Sequence, residues 1–210
     1  MSLLLVTQIL ALLGLLFAVG AFALRWRAAQ QRPFAPDRAP AKGSPRHGVL
    51  YAFTLGMAPW AKESTRRHML AYLRGIGFHI GIFSGLTALL ISPWWEVLPM
   101  PLRWLFAALT GLGALFGLIG EIMRRVEHHL RLLSTPDDHF SVLLVTVFLA
   151  ATSAALLSDI WQPIMYLAGA VMFIYAPLGK IRHCIYFFFS RRFFGLLIGR
   201  RAVVHAEVTR

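Results

Sequence analysis

Five stretches of the chain run almost unbroken by charge: Leu3–Leu24, Ile76–Pro93, Trp104–Ile122, Phe140–Leu157 and Trp161–Pro177. Each comes close to the roughly 20 apolar residues that an α-helix needs to cross a bilayer. The pattern predicts an all-α integral membrane protein, a five-helix bundle. The second helix is expected to begin near Thr65, after the break formed by Pro59 and Ser64. The fifth is expected to run on through Phe189, because Pro177 can kink a membrane helix without ending it. Gly48–Trp60 is apolar but too short to cross, and reads as an interfacial or re-entrant piece. The chain therefore divides into a first transmembrane helix (1–24), a cytoplasmic linker with an interfacial segment (25–64), a four-helix membrane core (65–190) and a cytoplasmic basic tail (191–210).

Charge sets the expected orientation. Ten Lys and Arg fall between Arg25 and Arg74, three follow the third stretch (Arg124, Arg125, Arg131), and seven lie from Lys180 to Arg210. The opposite side holds only Arg103, with Glu96 and Asp159. By the positive-inside rule the basic side is the cytoplasm, so the N-terminus lies outside and the C-terminus inside. Trp94, Trp95, Trp104 and Trp161 cluster at the outer ends, where interfacial aromatics gather. The first stretch lacks a basic segment before it and its charges follow it, which favours an anchor over a cleaved leader. The expected location is a bacterial or archaeal cytoplasmic (inner) membrane, crossed several times.

Composition agrees. The chain is 58% hydrophobic and 14% charged, with a mean hydropathy of +0.64. Its net charge of +12 would suggest nucleic acid in a soluble protein. Here the basic residues flank apolar segments, so the reading is topological and no nucleic-acid partner is expected. The single cysteine, Cys184, excludes an internal disulfide, a cysteine-rich iron–sulfur site and covalent haem attachment through C-x-x-C-H.

Two histidines carry the candidate chemistry. His79 and His183 lie near the basic ends of their apolar stretches, and an ionisable side chain at membrane depth is a functional candidate by default. His79 is 16 residues from Trp95, about 24 Å along a helix, and His183 is 22 residues from Trp161, about 33 Å. Two imidazoles at one depth on different helices are what a bis-histidine haem requires. Helical spacing puts Gly179, Ala176, Met172, Gly169 and Met165 on the face of His183, with the two small residues nearest it giving clearance for a flat macrocycle. Gly77, Gly81 and Gly85 form a small-residue stripe opposite His79, suited to close helix packing. The alternative is that each histidine only hydrogen-bonds a neighbouring helix.

Three short motifs carry a family resemblance. Phe78-His79-Ile80-Gly81-Ile82 resembles the second-helix F-H-I-G-I of the respiratory nitrate reductase gamma subunit. Pro177-Leu178-Gly179-Lys180-Ile181-Arg182-His183 resembles its fifth-helix P-x-x-[RK]-x-x-H. Leu133-Ser134-Thr135-Pro136-Asp137-Asp138-His139-Phe140 is similar to the cytoplasmic turn of related membrane cytochromes, those linked to dissimilatory sulfite reductase and to heterodisulfide reductase-like complexes. The resemblance covers all five stretches in order. It implies a membrane cytochrome b subunit that moves electrons between quinone and a cytoplasmic iron–sulfur subunit, within a multi-subunit oxidoreductase. It implies His79 and His183 as ligands of the haem b nearer the cytoplasm. Many members hold a second haem. Here no histidine occurs between Leu86 and Leu90, and Met165 stands where the fifth-helix ligand would be, so one haem is expected.

Other residues leave two readings each. Arg74, Lys180 and Arg182 lie within about a turn of the two histidines and suit haem propionates, or serve as positive-inside anchors. His68 lines a quinone or partner site, or is a solvated helix-end histidine. Glu121 receives protons during quinol oxidation, or pairs with Arg124 or Arg125 at helical spacing. Asp137 and Asp138 are expected to cap the fourth helix. The rival to the whole reading is a non-redox membrane scaffold or transporter subunit with structural histidines.

Overall fold

A computed structural model describes residues 2–34, 36–61 and 63–203. The helices are α1 (Leu3–Gln30), α2 (Pro45–Phe53), α3 (Glu63–Arg67), α4 (Met69–Ile91), α5 (Met100–Val126), α6 (His128–Leu133), α7 (Pro136–Leu157), α8 (Gln162–Tyr175) and α9 (His183–Arg200). There is no strand among the described residues. By length and composition four helices can cross a membrane: α1, α4 with the turn that extends it to Val97, α5 and α7. The interrupted pair Asp159–Tyr175 and Lys180–Arg200 makes a fifth if counted as one span. Leu12, Leu13, Leu16 and Val19 on α1 are each more than half exposed. Outward apolar faces of this kind mark a multi-pass membrane protein, whose solvent on those faces is lipid.

Two expectations change. Helix α1 does not stop at Leu24 but carries Arg25 and Arg27 to Gln30. Charge alone does not end a helix, and the first proline after this stretch is Pro33. The fifth apolar stretch is not one kinked helix through Phe189. Helix α8 ends at Tyr175, and residues 176–179 are turns and a bend. Pro177 has no N–H to offer the carbonyl of Phe173, and Gly179 follows it. The Leu178 and Gly179 amides both turn back to the Tyr175 carbonyl, at 2.9 and 2.8 Å. The tail expected from residue 191 is helical in α9 to Arg200, and residues 204–210 lie outside the described part.

The chain divides into two compact units, Met1–Ala21 with Leu73–Ile181, and Phe22–Tyr72 with Arg182–Arg210. In the first, α5 turns Ala107, Thr110, Gly113, Gly117 and Glu121 inward, a stripe of small residues at helical spacing ending in a carboxylate. The expected Gly77–Gly81–Gly85 stripe of α4 meets it. A Cβ built on Gly81 would lie 2.6 Å from the Gly113 Cα, so the two backbones approach as only glycines allow. Gly85 faces Phe148 and Leu149 of α7, both fully buried. Hydroxyls inside these apolar helices bond their own turns: Thr110 donates to the Phe106 carbonyl and Thr152 to that of Phe148, each at 2.7 Å. Others tie helices together. Ser153 donates to Ala107 O at 2.8 Å, and Ser92 and Tyr166 share a bond of 2.6 Å. Arg103 donates to Leu156 O at 3.1 Å and sits over the Trp95 ring.

In the second unit α2 packs on α9 through Gly48, Gly195 and Gly199. A Cβ on Gly195 would lie 2.5 Å from Val49 Cα, and one on Gly199 2.5 Å from Ser44 O. Aromatic contacts extend the pair: Trp26 with Phe189 at 4.6 Å between centroids, and Phe53 with Phe187 at 6.1 Å. The linker closes on the end of α9. Lys42 and Gly43 amides donate to Arg200 O at 2.8 and 3.0 Å, and the Arg201 guanidinium donates twice to the Asp37 carboxylate, at 3.0 and 3.2 Å. That fork, with the Ala39 amide, holds the Asp37 carboxyl below its ordinary value of 3.8.

Three outcomes follow. Gly81→Val should destabilise the first unit by about 1–3 kcal/mol, since Gly113 backbone cannot yield. Gly20→Ala, with nothing within 4 Å of its Cβ, should stay within about 0.5 kcal/mol. Thermal unfolding in detergent checks both. The Asp37 carboxyl titrates lower folded than unfolded, so its contribution is complete above the ordinary carboxylate range and fades as pH falls through it. Amide exchange at Lys42 and Gly43 should accelerate on acidification, and Asp37→Asn should remove that dependence.

Candidate functional site

His79 lies on the exposed face of α4, away from the glycine stripe. Its Nδ1 is 2.7 Å from the Gly75 carbonyl, one turn earlier. A carbonyl only accepts, so Nδ1 carries a proton in this contact. A backbone carbonyl on one ring nitrogen is the usual means of orienting an imidazole that ligates metal through the other. His183 is the first residue of α9, exposed, and belongs to the second unit, whereas His79 belongs to the first.

The face expected beside His183 is not continuous with it, because the helix breaks between Ala176 and His183. Met165, Met172 and Ala176 are core residues of the first unit, and Gly169 packs on Leu89. Met165 is fully buried, in keeping with a packing role. The expected clearance at Gly179 is filled, since a Cβ there would run into the Tyr175 ring.

That break is held by the N-terminus of α7. Tyr175 donates its hydroxyl to Asp137 Oδ1, and the Lys180 amide approaches the same oxygen at 3.3 Å. Lys180 Nζ pairs with Asp138 Oδ1. Asp138 Oδ2 accepts from the Thr135 amide at 2.9 Å and its hydroxyl at 2.8 Å, the expected cap of α7. Arg124 lies 3.8 Å from Asp138 Oδ1. Of the three cations expected near the histidines, Lys180 thus serves Asp138. Arg74 lies against Met123 Sδ, and Arg182 ends the short turn Lys180–Arg182.

Glu121 is buried, 3% exposed. Its Oε1 accepts from Arg125 Nε at 2.7 Å, the pairing expected at helical spacing, and is 2.8 Å from His139 Nδ1. Its Oε2 is buried and without a hydrogen-bond partner among the described residues. His139 was not singled out by sequence reasoning. Its only signal was its place in the Leu133–Phe140 motif, which says nothing of α5. His68 sits exposed in the second unit, at the turn between α3 and α4. No group of three or more His, Cys, Asp or Glu among the described residues could hold a metal ion.

Tyr175→Phe should loosen the break. The expected loss is about 1 kcal/mol, with faster amide exchange at Leu178 and Gly179. Unchanged exchange would mean that Pro177 alone sets the turn.

No family model, curated protein or solved structure matches the chain.

Proposed function

We propose that this chain is the electron-transferring membrane subunit of a quinone-linked oxidoreductase, with one b-type haem ligated by His79 and His183. The observation that carries the reading is the Nδ1 bond of His79 to the Gly75 carbonyl, a contact of the kind that orients imidazoles which ligate metal through the other nitrogen. The sequence motifs around His79 and His183 support it. Bound haem would supply one-electron chemistry, and the chain would supply ligation, charge and a dry path. Arg74 and Arg182 are the cations assigned to the propionates, with Lys180 shared with Asp138. Quinone exchanges electrons on the membrane side, and a cytoplasmic subunit with iron–sulfur clusters takes or supplies them. The N-terminus faces outward and the C-terminus the cytoplasm of a bacterial or archaeal inner membrane.

A dithionite-reduced spectrum of the protein expressed with sufficient haem tests this. The wild type should show a b-type band. His79→Ala and His183→Ala should each abolish it, and His68→Ala should spare it. Full haem in both ligand variants would end the assignment. No band in the wild type would favour a scaffold or transporter subunit whose histidines tie helices.

A further inference from the structure

We infer that Glu121 and His139 form a proton-exchange pair, with His139 as the solvent-side member and Glu121 as the buried proton store. The argument starts from the burial of a carboxylate that is only half satisfied. Both donors, Arg125 Nε and His139 Nδ1, converge on Oε1, and Oε2 is buried with no described donor. A buried acceptor left open costs about 1–3 kcal/mol. The buried oxygen has no described donor to hold its charge, and a proton would remove that charge, leaving a neutral carboxyl O–H in its place.

The surrounding charges favour a pair that holds either zero or one extra proton. On α5, Arg125 bonds Glu121, while Arg124 turns to Asp138 and to Ser134 Oγ at 3.3 Å. On α7, Asp138 is engaged by Lys180 and Thr135, and Asp137 by Tyr175. From α4, Arg74 Nε lies 3.8 Å from where a Cβ on Gly120 would stand. Asp138 thus pairs with a cation and Asp137 accepts a hydroxyl, while Glu121, beside its bonds to Arg125 and His139, keeps one buried oxygen with no described donor. Arg125 balances ionised Glu121, so neutral His139 leaves the trio uncharged. One added proton gives a single positive charge, whether it rests on the imidazole or on the carboxyl.

The His139 side chain is 28% exposed, against 4% for that of Glu121. That difference sets the route. Imidazole takes a proton from water at Nε2 and yields the Nδ1 proton to Oε1 of Glu121. A half-turn of the carboxyl then carries that proton to the open position. The donor is a hydronium ion: one of its O–H bonds and one N–H bond break, one N–H and one O–H bond form, water is released, and no electron moves.

Infrared difference spectroscopy on the full chain in lipid vesicles, stepped from alkaline to mildly acidic pH, tests this without any haem. Its failure is thus separable from failure of the cytochrome reading. The wild type should gain one protonated-carboxyl C=O band that shifts in D2O. Glu121→Gln should lose the band. Glu121→Asp, which keeps the carboxyl should the Gln variant fail to fold, should move its frequency. His139→Phe should keep the band but slow its deuterium exchange on the order of tenfold or more. No band in the wild type, or a band unaltered by both Glu121 variants, overturns the pair as a proton store. An unchanged exchange rate in His139→Phe overturns the relay.

Discussion

Close backbone contact at glycine is the constraint on which each unit depends. Lipid is as apolar as the helices it surrounds, so burying leucine against leucine gains little there. Association comes from packing at short range, and short range requires residues without a Cβ. Gly81 on Gly113 sets the distance between α4 and α5 in the first unit. Gly48 with Gly195 and Gly199 sets that between α2 and α9 in the second. Large side chains then fill around these contacts: Phe148 and Leu149 in one unit, Phe53 and Phe187 in the other.

Such packing dictates where polar groups can go. Along the spans, hydroxyls return to their own backbone or to a neighbouring carbonyl, as Thr110, Thr152 and Ser153 do. Charge collects at the basic end of the first unit, where α5 finishes and α7 begins. There the small-residue stripe of α5 ends in Glu121, and the α7 cap supplies Asp137 and Asp138. Glu121 meets Arg125 and His139, while the aspartates hold Tyr175 and Lys180. One helix N-terminus thus both caps itself and fixes where the last apolar stretch stops being helical.

That stop bears on the candidate chemistry. Lys180 and Arg182 lie in the turn between α8 and α9, and His183 opens α9 rather than continuing α8. The residues that precede His183 in sequence are therefore not its neighbours on a helical face. His79, by contrast, sits within an unbroken helix, and its own preceding turn supplies the acceptor for Nδ1.

The sequence by itself determined the helical class, the places of the apolar spans, the packing role of the Gly77–Gly81–Gly85 stripe and the part of Asp138 in the α7 cap. Each follows from composition or spacing within one segment, where helical period and capping chemistry act locally. It also offered Glu121 with Arg125, because one turn of helix brings them together. Tertiary structure decided the rest. Asp137 reaches Tyr175 across 38 residues, and Glu121 reaches His139 across 18. Gly195 and Gly199 lie in a stretch that reads as a basic tail until α2 is packed against it. The end of α8 at Tyr175 is of the same kind. A proline permits either a kink or a stop, and polar partners distant in sequence made it a stop.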